Sequence, residues 1–94
     1  MNTSQFEQSL SGSAPPSELS VYLQSLWFDA KGDWDAAHQV IQDVDDPTGA
    51  WIHAYLHRKE GDIANAAYWY DRAGKKVCAL SLKDEWKTIS GALL

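Results

Sequence analysis

Residues 51–74 read WIHAYLHRKEGDIANAAYWYDRAG, and this stretch decides the fold class. Apolar residues recur at steps of three and four on both sides of Gly61-Asp62, which is the period of a helix. They are Trp51, Ile52, Tyr55 and Leu56 before the turn and Ile63, Ala66, Ala67, Tyr70 and Ala73 after it. Glycine adopts the left-handed conformation that ends a helix, and an aspartate can cap the next helix by accepting a backbone N–H. The stretch therefore predicts two helices that fold back on each other across a tight turn.

The same pattern occurs 29 residues upstream, at Gly32-Asp33. Helical spacing again places apolar residues on one face before and after that turn: Leu19, Tyr22, Leu23, Leu26, Ala30, then Trp34, Ala37, Ile41, Val44. Pro15-Pro16 favours a helix start near residue 17, and Asp45-Asp46-Pro47 ends the second helix because the residue before proline avoids the α region. The sequence thus predicts two antiparallel hairpins, over residues 17–46 and 47–74.

The remaining segments predict a cap and a tail. Ser81, followed three residues later by Asp84, is a start signal for a last helix over residues 81–94 that turns Trp86, Ile89, Leu93 and Leu94 inward. Residues 1–16 are rich in Ser, Gln and Gly, and we interpret them as an N-terminal tail that docks through Phe6 and Leu10. No alternating pattern of strand length is present, so the fold class is all-α: two hairpins and a C-terminal capping helix.

Length and composition exclude several classes of protein. A chain of 94 residues forms one domain. It has no apolar run long enough to span a membrane, and no basic patch followed by an apolar block that would indicate a secretory signal. A net charge of −5 argues against nucleic acid as a partner. The single cysteine, Cys78, excludes an intrachain disulfide and a cysteine-built zinc site, and it favours a cytoplasmic location.

Two motifs resemble known helical repeats. Residues 32–37, Gly-Asp-Trp-Asp-Ala-Ala, are similar to the Gly-Asp-Tyr-Glu-x-Ala turn of tetratricopeptide repeats. Residues 67–74, Ala-Tyr-Trp-Tyr-Asp-Arg-Ala-Gly, resemble the Ala-x-x-Trp-Tyr-x-x-Ala close of Sel1-like repeats. The resemblance covers about residues 19–74, with a period of 29 instead of about 34 residues, and it implies helical-hairpin packing without a specific function. Residues 51–74 also resemble a segment of short uncharacterised bacterial proteins that has no assigned activity.

A surplus of aromatic and arginine residues suggests a binding surface on the third and fourth predicted helices. Successive helical residues turn by about 100°, so one face cannot bury residues 68, 69 and 70 together, and at least one of these rings lies on a second face. Such rings can pack in the core, or they can bind a protein partner, a peptide or a second copy of the chain. For this noncatalytic interaction module the candidate binding residues are Trp51, Tyr55, Arg58, Asn65, Tyr68, Trp69 and Arg72.

The alternative function is a small-molecule or metal-binding protein, possibly a minor enzyme. His53 and His57 are four residues apart, so both imidazoles share one helix face, with Glu60 three residues further on. Two histidines supply few ligands, and they can equally lie at the core edge and bond to carboxylates. Tyr68 and Arg72 complete this alternative site. No catalytic motif is present, so no catalytic residue or cofactor is assigned. Cys78 pairs with a histidine as a nucleophile only if the fold brings the two together.

Overall fold

The computed structural model describes residues 1–94 and contains six helices and no strand. The helices are α1 (Thr3–Ser9), α2 (Val21–Ala30), α3 (Trp34–Ile41), α4 (Pro47–Lys59), α5 (Ile63–Arg72) and α6 (Leu82–Leu93). The predicted all-α fold class is confirmed. None of these helices combines the length and the apolar composition that crossing a membrane requires.

Two tight turns have the local geometry that their sequences predict. Gly32 and Gly61 have φ angles of +83° and +87°, in the left-handed region that favours glycine. Asp33 and Asp62 follow them and cap α3 and α5 with their carboxylates. Helix α2 packs against α3, and α4 packs against α5. Both turns are stabilised by the same two residue types, although turns of this kind do not by themselves identify a repeat family.

The hydrophobic core lies between α2, α4 and α6. Its largest fully buried side chains include Trp27, Leu26, Ile52, Leu56 and Ile89. Ala37 on α3 is also fully buried, and its small side chain allows α2 and α3 to approach closely: the hydroxyl of Ser25 donates to the carbonyl oxygen of Ala37 at 2.8 Å. Helix α3 also contacts α4, and the candidate site lies where these two helices meet.

The segment predicted to be a tail contributes to this core. Residues Thr3–Ser9 form α1, which begins at a capping box made by Asn2 and Gln5. Phe6 is 0% exposed and stacks on Trp86 of α6, with 5.6 Å between the ring centroids. Phe6 is buried as predicted, but the segment is a helix that packs on α6 and not a tail.

Several helix boundaries differ from the prediction because the capping residues lie elsewhere. Helix α2 begins after Ser20, whose side chain accepts the N–H of Leu23, and not near residue 17. Helix α3 ends at Ile41, so Val44 packs on the core from the following loop. Helix α4, by contrast, begins at Pro47, the first residue of the predicted second hairpin, because Asp46 caps it and proline needs no N–H donor in the first turn. Leu94, predicted to turn inward, is exposed at the end of α6.

A buried ionic network attaches α6 to α4 and α5. The Glu85 carboxylate accepts hydrogen bonds from Arg58 Nη1, at 2.8 Å, and from the hydroxyl of Tyr70. Burial and the neighbouring carboxylate raise the pKa of Tyr70, so its hydroxyl keeps the proton that it donates. Trp86 Nε1 donates to the carbonyl oxygen of Leu26 at 3.0 Å. Helix α6 is therefore held by directed polar contacts as well as by apolar packing.

Candidate functional site: a histidine cluster between α3 and α4

All three histidines of the chain meet at one place, which we call the histidine cluster: His38, His53 and His57. His38 comes from α3, and the other two come from adjacent turns of α4. Their ring nitrogens can be chosen so that one from each residue lies within 4.8 Å of the others. The closest pair, His38 Nε2 and His53 Nε2, is 3.0 Å apart. The prediction that His53 and His57 share a face is thus extended by a third imidazole.

Two tryptophans hold these imidazoles in place. Trp69 of α5 stacks on His53 with 4.0 Å between centroids, and Trp34 of α3 stacks on His38 at 4.9 Å. Trp34 is itself fixed, because its Nε1 donates to the carbonyl oxygen of Leu56 at 2.8 Å. His53 is only 6% exposed. The cluster is therefore a packed site with stacked ring walls and not a set of mobile surface side chains.

Hydrogen bonds around His57 fix its tautomer. Its Nδ1 lies 2.6 Å from Oε1 of Glu60, and a carboxylate accepts the proton on that nitrogen. The other nitrogen, Nε2, lies 3.5 Å from the amide Nδ2 of Asn65, which is a donor. The lone pair of His57 therefore resides on Nε2. Carboxylates hold metal-ligating histidines in this way and increase their basicity.

Burial keeps the rest of the cluster uncharged at neutral pH. Desolvation lowers the pKa of His53 to about 4, and the nearby His38 and His57 act in the same direction. Burial likewise lowers the pKa of His38, with His57 adding to the effect and Glu60 opposing it. Neutral imidazole is the form that binds metal ions, so neither residue carries a positive charge that opposes a metal. The proton in the His38 Nε2–His53 Nε2 hydrogen bond would still have to leave the nitrogen that carries it before both could bind a metal.

One pair of nitrogens in the histidine cluster already lies near the separation that a small divalent ion would require. Zinc–nitrogen bonds of about 2.0–2.1 Å place two ligands of a tetrahedral site about 3.3 Å apart. A hydrogen bond holds His38 Nε2 and His53 Nε2 3.0 Å apart, close to that value. A second group, formed by His57, Glu60 and Asp62, also has its ligand atoms within 4.8 Å. Its carboxylates already hold His57 and cap α5, so this group supports the histidine cluster.

One of the seven predicted binding residues is buried, four are partly exposed and two are exposed. Tyr55 is buried, and its hydroxyl donates to Asp29 Oδ2 at 2.6 Å, so its prediction as a surface anchor is wrong: its face of α4 packs on α2. Arg58 is half-buried and bonded to Glu85. Trp51 is half-buried, with Lys75 Nζ at 4.1 Å from its ring centroid.

The other predicted binding residues lie on or beside α5. Trp69 covers His53 and Asn65 faces His57, so both contribute to the histidine cluster. Tyr68 and Arg72 are exposed and contact each other at 3.1 Å between the guanidinium and the hydroxyl. Cys78 packs beside Tyr70 and outside the histidine cluster, so the fold does not form the cysteine–histidine pair.

Comparison of the chain with protein-family models gave no match, and comparisons with curated proteins and with solved structures gave none either. The resemblance of residues 19–74 to tetratricopeptide and Sel1-like repeats stays a prediction.

Proposed function

We propose that this protein binds a divalent transition metal ion, with zinc as the expected ion, through His38, His53 and His57. The observation that carries the proposal is the convergence of three imidazoles from two helices within 4.8 Å of one another. Burial favours the neutral form of His38 and His53, and Glu60 accepts the Nδ1 proton of His57, whose Nε2 faces the amide of Asn65. These are the protonation states that metal binding needs.

The donor set favours zinc, copper or nickel over magnesium or calcium. Imidazole nitrogen suits the first group, whereas the hard cations prefer carboxylate and carbonyl oxygen. If zinc bound here, the three histidines would supply three of its ligands, and water or a small ligand would supply the fourth. A cytoplasmic location, supported by the free Cys78, belongs to the same proposal.

Isothermal titration of the metal-free chain with zinc tests this function. We expect one zinc ion per chain, and we expect His38→Gln and His53→Gln each to weaken binding by at least about 100-fold, since each removes a ligand. Glu60→Gln should weaken it by about tenfold because it only orients His57. Asp71→Asn, an exposed acid on α5, is the matched control and should leave the affinity unchanged. Equal affinities of all four variants would contradict the proposal.

A second candidate function is self-association through α5. Tyr68 is 53% exposed, and the guanidinium of Arg72 lies 5.8 Å from its ring centroid and 5.3 Å from that of Trp69. Aromatic and arginine side chains are enriched at protein interfaces. This pair supports the predicted interaction module, with a second copy of the chain as partner. Light scattering over a range of concentrations should show a dimer that Tyr68→Ser dissociates, and a monomer at every concentration would contradict this candidate.

A further inference from the structure

A cavity of about 610 Å³ opens on the face of α4 that points away from the histidine cluster. It lies between α1, α2, α4 and α6, and α4 contributes Tyr55 and Lys59 to it. At 100° per residue, Tyr55 lies about 160° around the helix from both His53 and His57, and Lys59 lies about 160° from His57 and about 120° from His53. The cavity is therefore a separate feature, and its volume falls in the range of about 300–1,000 Å³ that small-molecule sites occupy.

The inner wall of the cavity is apolar, and its polar floor is already neutralised. Leu10, Leu82 and Trp86 line the wall. At the floor, Asp29 Oδ2 accepts from the Tyr55 hydroxyl at 2.6 Å, and Asp29 Oδ1 lies 2.8 Å from Lys59 Nζ. Both carboxylate oxygens of Asp29 are thus partnered. The floor offers no free charge to a ligand, so an apolar group can lie against the wall without leaving a polar group unpaired.

The mouth of the cavity has unpaired positive charge. Lys83 and Lys87 are four residues apart on α6 and line the same side of the opening. Neither of them forms a salt bridge. Glu7 of α1 is the other charged residue at the rim, so the two lysines outnumber it. This local excess of positive charge stands out in a chain whose net charge is −5.

We propose that this cavity binds a small amphipathic carboxylate, with its apolar chain against Leu10, Leu82 and Trp86 and its carboxylate between Lys83 and Lys87. The apolar wall accounts for the body of such a ligand, and the lysine pair accounts for its charge. The apolar wall and the lysine pair together favour an amphipathic carboxylate over other ligands. A neutral apolar molecule would not pair with the lysines, and a simple anion would not cover the apolar wall. The inference is independent of the metal site, which lies on the other side of α4.

Calorimetric titration of the full chain with octanoate, octanamide and inorganic phosphate tests this assignment. We expect octanoate to bind, octanamide to bind about tenfold more weakly because it lacks the charge, and phosphate to give no binding because it lacks the chain. The double variant Lys83→Gln/Lys87→Gln should weaken octanoate binding by about tenfold. The matched control Lys75→Gln/Lys76→Gln loses the same charge outside the cavity and should bind octanoate as the natural chain does.

The result should also be the same with and without zinc, which separates this site from the metal site. Amide resonances of α1 and α6 should shift in the NMR spectrum of the chain when octanoate is added. Three outcomes would overturn the proposal: no octanoate binding, equal affinity for octanoate and octanamide, or equal weakening in the two double variants. Shifts confined to α3 and α5 would place the ligand elsewhere and would overturn it as well.

Discussion

Replacing Glu85 by alanine is expected to destabilise the fold strongly. The Glu85 side chain is 2% exposed and binds Arg58 on one oxygen and Tyr70 on the other. Its loss leaves the Tyr70 hydroxyl buried without a partner, which costs about 1–3 kcal/mol. It also leaves a half-buried guanidinium without its counter-ion, and removing one member of a buried pair costs about 3–5 kcal/mol in total. We therefore expect the free energy of unfolding to fall by about 3–5 kcal/mol.

Urea unfolding followed by tryptophan fluorescence measures this loss directly. For a domain of this size the Tm should fall by about 4–8 °C per kcal/mol, hence by roughly 12 °C or more. Glu85→Gln keeps the side-chain shape and one of the two acceptor oxygens, so it should cost less than the alanine variant. Glu18→Ala, at an exposed acid, should stay within about 0.5 kcal/mol. If Glu85→Ala lost less than about 1 kcal/mol, the network would not attach α6 in the way described.

Three further predictions concern α1, the second turn and the cap of α4. Phe6→Ala should lower the free energy of unfolding, measured in urea, by about 3–5 kcal/mol because the ring is fully buried. A loss of less than about 1 kcal/mol would contradict the packing of α1 in the core. Gly61→Ala should cost about 1 kcal/mol, visible as a lower Tm, because φ is +87°; an unchanged Tm would refute the turn geometry. The hydrogen bond from Tyr22 lowers the pKa of Asp46 below 3.8, so the stability that Asp46 contributes is present at neutral pH and is lost as pH falls through the lowered value. Urea unfolding across the acid range should show a smaller acid loss in Tyr22→Phe, and an identical pH profile would contradict the Tyr22 contact.

Local signals account for the parts of the fold that the sequence predicts. The turns at Gly32 and Gly61 need only a glycine, an aspartate cap and helical spacing, all within a few residues. Trp86 and Ile89 are buried as their spacing in the last helix predicts. By contrast, α1 was interpreted as a tail because one buried ring, Phe6, in seven residues leaves no periodic pattern. Its place depends on stacking with a residue 80 positions away.

The sequence predicts only the part of the site that lies on a single helix. His53 and His57 share a face of α4, and their spacing indicates that without any tertiary information. His38 is on another helix, and its position depends on how α3 packs against α4. Its spacing of four residues from Trp34 was the one local signal of a stacked pair. Two sequence signals disagree for Tyr55. Its helical spacing predicts a core residue, whereas the surplus of aromatic residues suggests a surface residue, and the structure buries it.

X-ray absorption at the zinc edge of the zinc-loaded chain tests the histidine cluster most directly. Three nitrogen ligands at about 2.0–2.1 Å, with the outer-shell scattering of three imidazoles, are expected, and His38→Gln should remove one of the three. A shell of oxygen ligands with one imidazole or none, unchanged in His38→Gln, would contradict the assignment of His38, His53 and His57 as a metal site.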